Sequence, residues 1–282
     1  AQVVITNAYR QSQSISVTAF RGAEQLKEQQ RFIQGLEREG KLDRGLEFLP
    51  SDEELSERMA AGQGLTRPEL AVLVAYGKMV LKEQLNCPEV TEEPFLANML
   101  VTSFPAQLQQ QFGAELAQHP LRGEIIATRV ANMLVNDMGL NFASRMKDET
   151  GASVAEVACC FAMAREVFGL GTLWRDIEGC DNLVDANTQL ELMFYSRRIV
   201  RRATRWFLRA RNRSWSIGEN IAFFRPAFET LGEHLYEVMD ESEVAEHRQA
   251  VAALVAKQVP EAIARQVAHM SSLFSSLDLA QI

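Results

Sequence analysis

The sequence lacks most of what a secreted, membrane-spanning or metal-binding protein needs. Cys87, Cys159, Cys160 and Cys180 are too few for a disulfide framework in 282 residues, and the adjacent pair is awkwardly placed for an unstrained bridge. A reducing compartment is the simpler reading, and the expected location is cytoplasmic. The longest apolar run, Leu70 to Leu81, is interrupted by Gly77 and Lys78 and is too short to span a bilayer. No signal peptide precedes the first motif, so no membrane partner is expected. His119, His234, His247 and His269 are scattered, and none has a His or Cys three or four residues away, so no metal site is expected. A basic excess is also missing. The net charge of −8 argues against general nucleic-acid binding, which needs a cationic surface.

Catalytic signatures are absent too. Gly62-Gln63-Gly64 and Gly169-Leu170-Gly171 contain GxG, but neither follows a strand nor continues to the full phosphate-cradling pattern. No P-loop and no GxSxG elbow occur. Asp52, Glu53 and Glu54 fall in a first helical turn, where they complement the helix dipole, and Asp148-Glu149 read as solvated. No catalytic, cofactor-binding or metal-binding residue is assigned.

What the chain has in quantity is helix punctuation. In a capping box a Ser or Thr accepts a backbone N–H while a Glu three residues on reaches back. Ser51…Glu54, Thr66…Glu69, Ser153…Glu156 and Ser216…Glu219 all fit, and apolar residues at helical spacing follow each. Stops are as clear: Gly62 with Gly64, Asn86-Cys87-Pro88, Gly139, Gly151 and Gly169. These signals predict helices near 8–39, 52–61, 67–85, 92–101, 105–112, 121–138, 142–149 and 154–167. Later helices are predicted near 171–178, 185–211, 217–224, 227–238, 242–258 and 261–276. The expected fold class is all-α, a multi-helix bundle of roughly a dozen helices with no significant sheet.

Residues 1–50 are polar and glutamine-rich, with Phe20, Phe32, Ile33 and Leu36 as sparse anchors, and read as a helical connector. Residues 51–282 read as an α-helical bundle domain. The opening Val3-Val4-Ile5, apolar and uncapped, suggests a piece of a longer protein. The helix after Thr66 is apolar over most of its circumference and is expected in the middle of the bundle. Gly77 and Gly123 fall inside helices and are expected to loosen them by about 1 kcal/mol each.

Two groups stand out as candidate sites. Arg197, Arg198, Arg201, Arg202, Arg205 and Arg209, with Arg211 and Arg213 beyond, share a stretch without an acid. Most lie on one side of a helical wheel, opposite Leu192, Ile199, Val200, Ala203, Trp206 and Phe207. They form a candidate anion or interface face; a solvated face paired with carboxylates elsewhere in the chain is the favoured reading. Thr128, Asn132 and Asn136 form an i, i+4, i+8 ladder, a candidate buried polar row whose structural use is favoured over a ligand site.

Several segments together resemble one family. They are Asn7–Gln13; Leu42-Asp43-Arg44 with Glu47–Leu55; Gly64–Leu73; Glu124–Thr128; Ala164–Leu170; and Arg202–Trp206. In this order they resemble the C-terminal helical region of the large bacterial NAD-specific glutamate dehydrogenases. The resemblance implies a parent enzyme that oxidises L-glutamate to 2-oxoglutarate and ammonium with NAD, in very long chains that form homo-oligomers. It places Asn7–Gln13 where the nucleotide-binding domain hands over to the helical tail. It implies no cofactor in this stretch, NAD in the parent, and the remainder of its own chain as partner. The expected function is therefore a non-catalytic helical domain with structural, assembly or regulatory roles. The alternative is an independent helical module that binds protein or nucleic acid through the arginine face.

Overall fold

A computed structural model of the chain describes residues 11–12, 15–16, 18–19, 22–210 and 216–279. Among these residues sixteen helices are delimited and no strand occurs, so the expected all-α class holds. Asn7–Arg10, Gln13, Phe20, Arg211 and Arg213 lie outside the described residues, as does the apolar opening. The chain forms two compact units, residues 1–158 and 159–282.

In the first unit the helices are α1 (Gly22–Arg38), α2 (Asp52–Ala60), α3 (Arg67–Leu85), α4 (Pro88–Thr91), α5 (Pro94–Val101), α6 (Ala106–Ala117), α7 (Arg122–Met138) and α8 (Phe142–Thr150). The hub is α7, against which α3, α4, α5 and α8 pack. Its apolar positions Ile126, Ala127, Val130, Ala131, Leu134 and Val135 recur at helical spacing and are all buried. Each large aliphatic side chain so covered contributes about 2 kcal/mol.

The helix after Thr66, α3, is not central as expected. Leu70, Leu73, Val74, Gly77, Leu81 and Leu85 are buried on one face, while Ala75 and Met79 are exposed on another. Small and medium apolar residues do not force burial on every side, so composition alone overstated the case. Gly77 also has a purpose that helix propensity hides. A Cβ there would collide with Leu140 Cδ1, so the missing side chain makes room for a core leucine. At Gly123 a Cβ would stand 2.6 Å from Asn86 Oδ1, at the end of α3. Both glycines trade propensity for close packing.

The predicted caps form. The hydroxyls of Ser51, Ser153 and Ser216 each accept from the backbone N–H of the Glu three residues on, and each serine's own N–H donates to that carboxylate. At Thr66 the N–H donates to Glu69 Oε2 over 2.7 Å. Burial works against the Glu69 carboxylate, but its bidentate contact with Arg58 and the Thr66 bond together hold its pKa below the usual range. Gly62, Gly139, Gly151 and Gly169 take positive φ beside helix ends, as the stops required.

The remaining helices are α9 (Val154–Val167), α10 (Leu170–Glu178), α11 (Ala186–Ala210), α12 (Ile217–Glu233), α13 (Leu235–Val238), α14 (Glu241–Ala256), α15 (Glu261–Leu273) and α16 (Ser276–Leu279). The boundary between the units falls inside α9, whose residues Val157 to Ala164 are buried without exception. In the second unit α15 is the hub, touching α10, α11, α12 and α14. The predicted break near Pro226 is absent, because α12 runs through it. Phe224 packs edge-on against Trp206 and Phe207, and Phe228 packs on Phe168, so aromatic contacts on both sides offset the roughly 3 kcal/mol a mid-helix proline costs.

Candidate functional site

Helix α11 carries the arginines. Leu192, Ile199, Val200, Ala203 and Phe207 are buried on one side, and the arginines take the other. The accessible part of that face is smaller than the wheel suggests. Arg198, Arg202 and Arg209 are exposed, Arg201 and Arg205 are half-buried, and Arg197 is buried at 8% exposure. Arg202 on α11 stacks over the ring of Phe274, the residue that ends α15, at 4.5 Å, a cation–π contact. Neighbouring polar contacts are structural: Trp206 Nε1 donates to Asp278 Oδ1 over 2.7 Å, and Trp174 Nε1 donates to the buried Ser196 Oγ over 2.7 Å.

The polar ladder on α7 does not form one buried row. Thr128 is exposed, and its hydroxyl donates to the Glu124 carbonyl of its own helix over 2.6 Å. Asn132 is half-buried and Asn136 is buried. A strict four-residue step drifts around a 3.6-residue helix, so the three positions leave one face gradually.

One grouping escaped the sequence reading. His269 on α15 meets the hydroxyl of Tyr236 on α13 at 3.1 Å, and His247 on α14 meets Ser272 Oγ at 3.2 Å. The two imidazole centroids are 5.0 Å apart, with the Tyr236 ring edge-on to both. Burial, then the neighbouring His247 and Arg265, push the pKa of His269 down to about 4. Burial also lowers His247, against Glu243 and Glu246. Both rings are therefore neutral at pH 7 and act as packing and hydrogen-bonding groups. Spacing within one helix could not reveal them. The available signal was the short turn from Lys257 to Pro260, which makes α14 and α15 an antiparallel hairpin and sets positions equally distant from the turn side by side. No group of three His, Cys, Asp or Glu suited to a metal occurs among the described residues.

Gly169 caps α10 in the left-handed conformation, and the Arg165 guanidinium stands 2.6 Å from where a Gly171 Cβ would be.

The profile of the family described as "Glutamate dehydrogenase, C-terminal" matches residues 62–282. The chain belongs to that family. Among curated relatives it is 43% identical, over 99% of its length, to the NAD-specific glutamate dehydrogenase of Pseudomonas aeruginosa. It is 39% identical over 100% of its length to the enzyme of that name in Halomonas elongata, and 30% identical over 99% to that of Mycobacterium tuberculosis. In each case the chain spans 17% of the relative's length.

Three of the segments that carry the glutamate dehydrogenase resemblance make local structural contacts among the described residues. Arg44 clamps the connection between α1 and α2, the Gly64–Leu73 segment holds the capped start of α3, and Arg165 pairs with Glu166 at 2.6 Å. All four cysteines are free thiols, and no described helix is long and apolar enough to cross a membrane.

Proposed function

We propose that this chain is the non-catalytic helical domain of a large, cytoplasmic NAD-specific glutamate dehydrogenase, serving its folding and assembly. The parent would convert L-glutamate, water and NAD+ to 2-oxoglutarate, ammonium and NADH, with NAD held on the part of the polypeptide outside this chain. Residues 1–50 would connect the catalytic part to the packed body, residues 51–282, and the partner of that body is the remainder of its own chain in a homo-oligomer.

The observation that carries this reading is the family match, together with the end-to-end alignment to dehydrogenases of which the chain is 17%. Helix chemistry supports it: many of the charged and polar groups described form caps, clamps and inter-helix bonds. Two helices, α6 and α14, bury no residue in this chain, which is the state expected of surfaces that pack against other polypeptide.

Removing residues 51–282 from the parent enzyme tests the proposal. The expected outcome is a large loss of folded, assembled enzyme, with the surviving fraction keeping its KM for glutamate. Normal yield, normal oligomer and normal activity after the deletion would refute it.

A further inference from the structure

The loop between α1 and α2 presents two large apolar side chains to solvent on an unusually well-held base. Phe48 is 90% exposed and Leu46 is 76% exposed. Single exposed apolar residues are ordinary, but here the backbone is bent to display them. Phe48 adopts φ of +53°, a left-handed conformation that an aromatic residue rarely takes. Such a conformation persists only where the surroundings fix it.

They do so thoroughly. The Arg44 guanidinium grips Glu37 with two bonds, of 2.9 and 2.6 Å, and also donates to the Pro50 carbonyl and to Asp52 Oδ1. Asp43 Oδ1 accepts from the backbone of Gly45 and Leu46, and Leu49 N–H donates to the Arg44 carbonyl. Tyr76 on α3 donates to Glu47 over 2.7 Å, and Leu42 and Leu49 are buried beneath. Met79, one turn along α3 from Tyr76, is 48% exposed. The loop is thus ordered before anything covers it, and a preordered apolar tip is what makes an interface anchor effective.

Resting on the function proposed above, we infer that Leu46 and Phe48 form a docking knob. Its occupant is an apolar pocket with a basic rim on the remainder of the parent polypeptide. The source follows from size and charge. The relatives carry roughly five times as much chain outside this region as within it, since the chain is 17% of their length. Residues 37–54 hold seven carboxylates against three basic side chains, so the knob stands in an acidic collar. A second copy meeting the same patch across a two-fold axis would set collar against collar. An anionic membrane would repel it for the same reason.

The test places p-benzoylphenylalanine at position 48 of the full-length parent enzyme, irradiates it and maps the cross-links by mass spectrometry. The expected product joins position 48 to a segment of the same polypeptide outside the 282 residues. Cross-links only between copies, only within the 282 residues, or to no protein at all would overturn the knob. Phe48→Gly in the parent supplies a second readout, because glycine accepts the left-handed φ without strain. A fall of several degrees in the parent's melting temperature is expected despite that relief. An unchanged or raised melting temperature would contradict docking. Should deletion of residues 51–282 cripple assembly while both Phe48 experiments fail, only the knob is lost; harmless deletion removes the broader reading.

Discussion

Replacing Arg44 by alanine should be among the costliest single changes at the surface of the first unit. The side chain is only 14% exposed and makes four hydrogen bonds: two to Glu37, one to Asp52 and one to the Pro50 carbonyl. Hydrogen bonds to charged groups contribute about 1.5–3 kcal/mol each when well shielded. Glu37 and Asp52 are 33% and 47% exposed, so water re-solvates them when the guanidinium is gone and returns much of that sum. The Pro50 carbonyl and the bend at Phe48 recover less. A net loss of about 2–3 kcal/mol is the expected balance, or a melting temperature lower by about 5 °C in a chain of this length. Arg44→Lys keeps the charge but not the planar fork, and should recover less than half. Thermal unfolding followed by circular dichroism checks both variants, and amide exchange at Leu49 reports the loop itself. An Arg44→Ala protein that melts within about a degree of wild type, or full rescue by lysine, would refute the reasoning.

Three further outcomes are expected. His269, with a folded pKa of about 4 against about 6.5 unfolded, binds its proton more readily in the unfolded chain. Its contribution to stability is complete above about pH 6.5 and is lost as pH falls towards 4; solvent screening reduces the loss between about pH 7 and pH 5 to about 1 kcal/mol. Denaturant midpoints at the two pH values measure it, and His269→Gln should flatten the slope. Ser196→Ala leaves the buried Trp174 indole N–H without its acceptor and should cost about 1–2 kcal/mol by urea titration; a neutral result would mean that the bond carries no net stability. Gly77→Ala gains about 1 kcal/mol of helix propensity but drives a methyl into Leu140, and should be destabilising by about 1–2 kcal/mol overall. Adding Leu140→Ala to that variant should cost less than Leu140→Ala alone, and a strictly additive double-mutant cycle would exclude the contact.

Much of the fold was legible because helix ends have local chemistry. The four Ser and Thr boxes each needed only four residues to be read, and each one forms. Asp240…Glu243 makes a fifth box of the same geometry, overlooked because the acceptor is a carboxylate instead of a hydroxyl. Pro88 was taken only as a stop, yet it opens α4, where its missing N–H costs nothing. Pro226 was taken as a break, yet α12 continues through it, with Phe224 and Phe228 on either side in aromatic contacts that lie far apart in sequence. Helix α6 runs past the expected end near Phe112 to Ala117, with non-helical backbone at Phe112 itself, and no periodic apolar stripe marked its end. The candidate sites were less legible, since they depend on which helices meet. The arginine side of α11 was visible on a wheel, but the burial of Arg197 was not. The His247–His269 pair and the display of Phe48 depend on a hairpin pairing and on a backbone bend that spacing within a single helix does not encode.

The proposed function assigns packing to this chain and hydride transfer to NAD to other parts of the parent polypeptide. The most direct test incubates the purified 282-residue chain with L-glutamate and NAD and follows NADH by its absorbance, beside the parent enzyme at equal molarity. The expected trace for the chain is flat at every substrate concentration while the parent turns over; saturable NADH formation by the chain alone would contradict the claim.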